Sequence, residues 1–134
     1  MRDPRRMLEA DLQSGVLDLA ARMKWRRAHF RPGRVMCPAC HGHATEGRPR
    51  ACPACRGKGY SYRTPVEGDG QGWPDLVMVR RDRLIVAELK SDDGTVDREQ
   101  LAWLDAFEAV TKPPEVYVWR PDGWRTGAIE ERLR

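Results

Sequence analysis

The chain has 134 residues, of which 33% are charged and 40% hydrophobic, with a net charge of +4, enough for one hydrophobic core and at most a small second module. It has no run of eighteen apolar residues. Its N-terminus, MRDPRRMLEADLQSG, lacks the apolar stretch and small-residue cleavage site of a secretory signal, so the sequence predicts a cytoplasmic protein without a membrane span.

The charge is unevenly placed. Residues 1–36 carry nine Lys/Arg against four Asp/Glu, while residues 73–134 carry ten against thirteen. Such a division suits a protein that holds a polyanion with one part and keeps carboxylates for a metal in another.

Between Met7 and Lys24, the residues Leu8, Leu12, Val16, Leu19 and Met23 recur at three- and four-residue intervals, which predicts an amphipathic helix with one buried stripe. KWRRAHF, residues 24–30, reads as a short strand that Pro32 and Gly33 terminate. Residues 35–72 hold all four cysteines and seven glycines, show no apolar periodicity and close on VEGDGQG, the composition of an insertion rather than of core.

Two apolar runs follow, DLVMV and LIVAEL, separated by RRDR, and predict a β-hairpin. Along the second run Leu84, Val86, Glu88 and Lys90 share one face, because strand side chains alternate with period two. After the loop SDDGTV, a helix is expected from about Arg98 to Val110, with Leu101, Leu104, Phe107 and Ala109 or Val110 turned inward, until Pro113 and Pro114 stop it. EVYVWR reads as a last strand, followed by a PDG turn and a polar tail.

The hairpin carries chemistry. Asp75 opens its first strand and Glu88 lies late in the second, so pairing would bring both carboxylates to one sheet edge. Mg²⁺ and Mn²⁺ are cations that take oxygen ligands, with one or two carboxylates completed by water and substrate phosphate. Asp75 and Glu88 would supply the carboxylates, and the Leu89 carbonyl a third oxygen. The ion would activate water, while the Lys90 ammonium would orient the nucleophile and stabilise charge developing on a scissile phosphate. The plainer alternative makes Glu88 and Lys90 a solvated pair on an edge strand, and Asp75 a strand-start residue after Pro74.

GWPDLVMVRRDRLIVAELKSDDGTVDREQLAWLDAF resembles the VRR-NUC branch of the PD-(D/E)xK nucleases, whose pattern is G-x-PDL, a hairpin, E-x-K and a Gln-bearing helix. The likeness continues into VYVWRP, and LEADLQSGVLDLAARMKW resembles the family's opening helix, with Glu9 followed four residues later by Gln13. The resemblance implies an α/β, restriction-endonuclease-like fold in which helices flank a mixed central sheet built from residues 1–36 and 61–134. It also implies metal-dependent cleavage of DNA, often branched. Carried over, Asp75 and Glu88 become metal ligands, Lys90 the catalytic lysine, Glu9 a helix-borne acid and Gln100 an active-site polar residue. Two of these have competing explanations. Asp97 and Gln100 have capping-box spacing, and Glu9, near Asp11, would also be favoured in a first helical turn by the helix dipole. Trp103 and Trp119 fit packing positions, whereas Trp73, next to Pro74 and Asp75, is the tryptophan placed to meet a substrate.

Cys37, Cys40, Cys52 and Cys55 form two CPAC units eleven residues apart. Paired CxxC spacing lets four thiolates close a tetrahedron around zinc, with no position left for catalysis. Disulfides are the alternative, disfavoured in a cytosolic chain. CPACHG and CPACRGKG resemble the CxxCxGxG units of the DnaJ-type cysteine-rich domain, but only two units are present where that domain has four, so a chaperone role is not implied. Structural Zn²⁺ would fold a small insertion, residues 37–60. Arg48, Arg50, Arg56 and Lys58 would make this knuckle a clamp on the DNA backbone. Dimerisation is its competing role, since a resolvase cuts two strands symmetrically.

Together these readings predict a Mg²⁺- or Mn²⁺-dependent, structure-specific endodeoxyribonuclease of phage or bacterial recombination and repair, such as a Holliday-junction resolvase acting as a homodimer on branched DNA. The alternatives are a less selective nicking or restriction-type nuclease and a non-catalytic zinc-containing DNA-binding module on the same fold.

Overall fold

A computed structural model of the chain describes residues 6–30, 33–43, 52–63 and 66–134. Its elements in chain order are α1 (Glu9–Arg22), β1 (Arg26–His29), β2 (Gly33–Met36), β3 (Tyr60–Arg63), β4 (Leu76–Arg80), β5 (Arg83–Leu89), α2 (Arg98–Glu108), β6 (Glu115–Trp119), α3 (Pro121–Arg125) and α4 (Ala128–Leu133). They divide into two compact units, one made of Met1–Phe30 with Gly72–Arg134, the other of Arg31–Gln71.

The first unit is a mixed sheet flanked by helices. Its strand order is β1-β4-β5-β6, with β1–β4 and β4–β5 antiparallel and β5–β6 parallel. A parallel pair cannot be closed by a tight turn, and α2 supplies the crossover. β5 lies inside the sheet, which accounts for its almost unbroken apolar run: Ile85 through Leu89 are all buried. Leu12, Val16 and Ala20 of α1 share one core with Leu76, Met78, Ile85, Ala87 and Leu89, so the predicted helix stripe and the inward positions of the hairpin meet.

Trp25 braces this unit. Its Nε1 donates to the Leu133 carbonyl at 2.9 Å, and the Arg80 and Arg83 guanidinium groups lie over its ring at 4.7 and 5.0 Å. Arg83 also holds Glu115 in a two-pronged pair at 2.9 and 2.8 Å, tying the start of β5 to the start of β6.

Two expectations need correction. The residues after PDG are not a polar tail: they fold into α3 and α4 and bury Pro121, Ile129 and Leu133. Pro121 fits a first helical turn, where its missing N–H costs nothing, and Ile129 and Leu133 stand one helical turn apart. The inward stripe of α2 also begins one residue earlier than expected. Gln100, Trp103, Leu104 and Phe107, at the i, i+3, i+4, i+7 positions, are buried or half-buried, while Leu101 and Val110 are each 51% exposed. A polar residue heads the stripe, which is why apolar periodicity alone starts it at Leu101.

In the second unit β2 and β3 form a two-stranded antiparallel sheet pairing Gly33–Met36 with Tyr60–Arg63. The cysteine insertion expected over residues 37–60 is therefore the middle of a larger unit whose strands lie on both sides of the cysteines. No helix among the described residues is long and apolar enough to cross a membrane.

Leu12 is fully buried in the main core. Leu12→Ala removes its contacts and leaves a cavity, so we expect a loss of about 2–5 kcal/mol in stability, read from urea denaturation at unchanged m-value.

Candidate functional site

The antiparallel register fixes the centre of the site. Leu76 pairs with Ala87, and one step further the same register sets Asp75 opposite Glu88. The two carboxylates thus meet at the end of the two central strands rather than at a sheet edge. Phe30 N donates to the Asp75 carbonyl at 3.0 Å, continuing the β1–β4 ladder across that residue. The Leu89 N–H donates to Asp75 Oδ2 at 2.8 Å, so Leu89 touches the site through its backbone while its side chain is buried in the core.

Glu88 is 1% exposed, which excludes the solvated-pair reading of Glu88 and Lys90. Its Oε1 accepts from Gln100 Nε2 at 2.5 Å and lies 3.3 Å from Lys90 Nζ. Its Oε2 is buried without a donor. Burial raises the Glu88 carboxyl to about 8, the negative charge of Asp75 adds to the effect, and Lys90 opposes it. Asp75 is also raised, chiefly by burial, against the Leu89 amide, Glu88 and Lys90.

Gln100 resolves its two readings by doing both. Its Oε1 accepts from the Asp97 N–H at 3.0 Å, while its own N–H donates to Asp97 Oδ1 at 2.9 Å, the reciprocal bonds of a capping box. The amide nitrogen that this leaves over reaches Glu88. Gly72 makes the approach of α2 possible. At φ +82° it sits against the helix start, and a Cβ there would lie 2.6 Å from Gln100 N. Only glycine tolerates both that backbone conformation and that contact, a constraint that the bare sequence signals only as a glycine before PD.

Glu9 and Asp11 separate in the same way. Asp11 Oδ2 accepts from the Leu8 N–H at 3.3 Å and takes the capping role. Glu9, exposed at the first position of α1, is raised by partial burial and then by the charge of Asp75, with Lys90 and the Ser91 amide acting in the opposite direction. It therefore belongs electrostatically to the Asp75–Lys90 group. Arg120 was not expected here. Its Nη1 donates to the Ser91 and Gly94 carbonyls at 2.7 and 2.6 Å, and it pins the loop that follows Lys90. Trp73 packs edge-on against Phe30, Trp103 and Phe107, with ring centroids 5.8, 4.8 and 5.6 Å away, and Trp119 is buried in the main core.

A buried carboxylate, Glu88, and a half-buried one, Asp75, beside a lysine are the kind of donor set that a divalent cation takes. Glu9, Asp75 and Glu88 against Lys90 leave a formal charge of −2 when all are ionised, and Glu88 Oε2 is a buried acceptor with no partner. A buried carboxylate needs pairing or metal coordination to offset its lost hydration. Glu9 is not gathered with Asp75 and Glu88 at metal-binding distance: among the described residues, the one group of three or more ligating side chains so gathered is the four cysteines.

That second centre belongs to the unit Arg31–Gln71. The Sγ atoms of Cys37, Cys40, Cys52 and Cys55 lie within 4.8 Å of one another, and all four cysteines are free thiols. Cys40 Sγ and Cys55 Sγ are 3.7 Å apart, close to the roughly 3.8 Å edge of a tetrahedron with metal–sulfur bonds near 2.3 Å. After each CPAC the chain turns through a left-handed residue and a glycine, His41 (φ 50°) with Gly42 and Arg56 (φ 53°) with Gly57. Burial works against the Cys55 thiolate, yet the Gly59 amide, 3.2 Å from its sulfur, and the neighbouring thiols bring it down to about 7. The cluster is positioned to bind a metal ion. Arg56 and Lys58 are exposed on it, while Arg48 and Arg50 lie outside the described residues.

No protein-family model, curated protein or solved structure matches this chain.

A thiolate cage of this size predicts one tightly held zinc per chain by elemental analysis. Cys55→Ser should lose the metal and unfold the Arg31–Gln71 unit, since structural zinc contributes roughly 10–16 kcal/mol to such small folds. A folded, zinc-free native protein would contradict this.

Proposed function

We propose that this protein is a Mg²⁺- or Mn²⁺-dependent endodeoxyribonuclease with a restriction-endonuclease-like core of the PD-(D/E)xK type, in its VRR-NUC branch, acting on branched DNA in recombination or repair. The observation that carries the reading is the pairing of Asp75 with Glu88 at the end of the central strands, with one Glu88 oxygen lacking any donor and Lys90 beside it.

Asp75 and Glu88 would hold the cation, and the Leu89 carbonyl remains the proposed third oxygen. A bound Mg²⁺ or Mn²⁺ supplies an activated water and neutralises charge on the scissile phosphate. Gln100 fixes Glu88 Oε1 and so leaves Oε2 as the oxygen that would be offered to a cation. Lys90, only 14% exposed at its side chain, orients the attacking water and meets charge developing on the phosphate, with little solvent to weaken it. Glu9 adds negative charge on the Asp75 side and strengthens cation binding. Arg120 keeps the Ser91–Gly94 loop, and with it Lys90, in place. The structural zinc takes no part in cleavage, and symmetrical cutting of two strands would require two copies of the chain.

Offered four-way junctions, flaps, single strands and linear duplex with Mg²⁺ or Mn²⁺, the native protein should cleave branched DNA most readily. Lys90→Ala should lower the rate on the order of a hundredfold or more, and Gln100→Ala by roughly ten- to a hundredfold, because it loosens a ligand without removing one. Preference for linear duplex would favour a nicking or restriction-type enzyme. Cleavage undiminished in Lys90→Ala, or none on any substrate, would overturn the reading.

A further inference from the structure

The strand pair of the cysteine unit carries a surface that neither centre uses. Its register sets Arg34 opposite Tyr62 and Met36 opposite Tyr60, so strand alternation gathers these four side chains on one face. Tyr62 and Met36 are each 65% exposed. The Arg34 guanidinium lies 3.5 Å from the centre of the Tyr60 ring, and the Tyr60 and Tyr62 rings stand edge to face at 5.8 Å. Neither tyrosine belongs to the buried cysteine cluster, so the hydrophobic packing of that cluster does not account for them.

The charge carried by the unit's sequence indicates what would cover this face. Residues Arg31–Gln71 hold seven Lys/Arg against three acids, Glu46, Glu67 and Asp69, which selects a polyanion over a basic protein surface. A polyanion that also rewards exposed aromatic rings is a nucleic acid with unstacked bases, because a duplex hides its base faces while a single strand presents them.

We propose that the Arg34–Met36–Tyr60–Tyr62 face is a stacking platform for single-stranded DNA. Tyr62 stacks on an unpaired base, while Arg34, oriented by Tyr60, takes an adjacent phosphate or a second base. This goes beyond the nuclease reading and stands without it, since it requires neither Asp75 nor Glu88. If both hold, the unit recognises the unpaired nucleotides of a branched substrate.

The test uses the full-length, zinc-loaded protein without Mg²⁺ or Mn²⁺, so that binding is read apart from cleavage. Fluorescence anisotropy is measured with labelled oligothymidine and with a blunt duplex of equal length. Tyr62→Ala and Arg34→Ala should each weaken oligothymidine binding about tenfold or more, with zinc content unchanged and duplex affinity nearly so. Tyr62→Phe should bind as the native protein does. Tyr62→Leu, which keeps apolar bulk but no ring face, should fail like Tyr62→Ala and decides the matter if the alanine variant loses zinc. Native-like oligothymidine binding by Arg34→Ala and Tyr62→Leu would overturn the proposal. So would equal losses on duplex and single strand, or a change in self-association alone. Failure of cleavage by the native protein leaves these outcomes unchanged.

Discussion

Glu88 is a carboxylate on an interior strand with almost no access to water, and the surrounding structure is organised by that fact. An ionised group taken out of water costs several kcal/mol unless charges and donors replace its hydration. One oxygen receives Gln100 and Lys90; the other receives nothing, and the nearest strand partner is a second carboxylate. Packing and polar satisfaction conflict here, as they do where a fold is shaped for a ligand rather than for its own stability.

The scaffold makes this arrangement rigid. Asp75 and Glu88 are held by a β-ladder, and Gln100 by a capping box whose loss would fray the helix that carries it. Gly72 lets that helix start close enough for the amide to reach. The cysteine unit follows the opposite logic. With a buried cluster consisting of cysteines, it has little apolar surface to hold it together, and a metal ion held by those four thiols would take over the role that burial plays in the first unit.

Much of this was legible in the chain itself, for physical reasons that also explain the rest. Long periodic segments identified the helix of Leu12 and Val16, the hairpin and the strand through Val116 and Val118. The spacing of the cysteines identified their cluster, since two-residue spacers are short enough to aim both thiols at one point. Short elements escaped. Helices of five and six residues span too few turns to display a period, and GRVM and YSYR carry too little apolar alternation to be recognised as paired strands. The α2 stripe was misplaced because its first residue is Gln100, which is polar for the sake of Glu88. Neither Arg120 nor the glycine constraint at Gly72 shows in any local pattern, because both depend on contacts between distant segments.

The central claim, that Asp75 and Glu88 form a divalent-cation site, is tested most directly by anomalous diffraction at the manganese edge from crystals grown with Mn²⁺. We expect a peak between the Asp75 carboxylate and Glu88 Oε2, distinct from any peak at the four cysteines and absent in Glu88→Gln. Crystals saturated with Mn²⁺ that show no peak there, or one unaffected by Glu88→Gln, would contradict the claim.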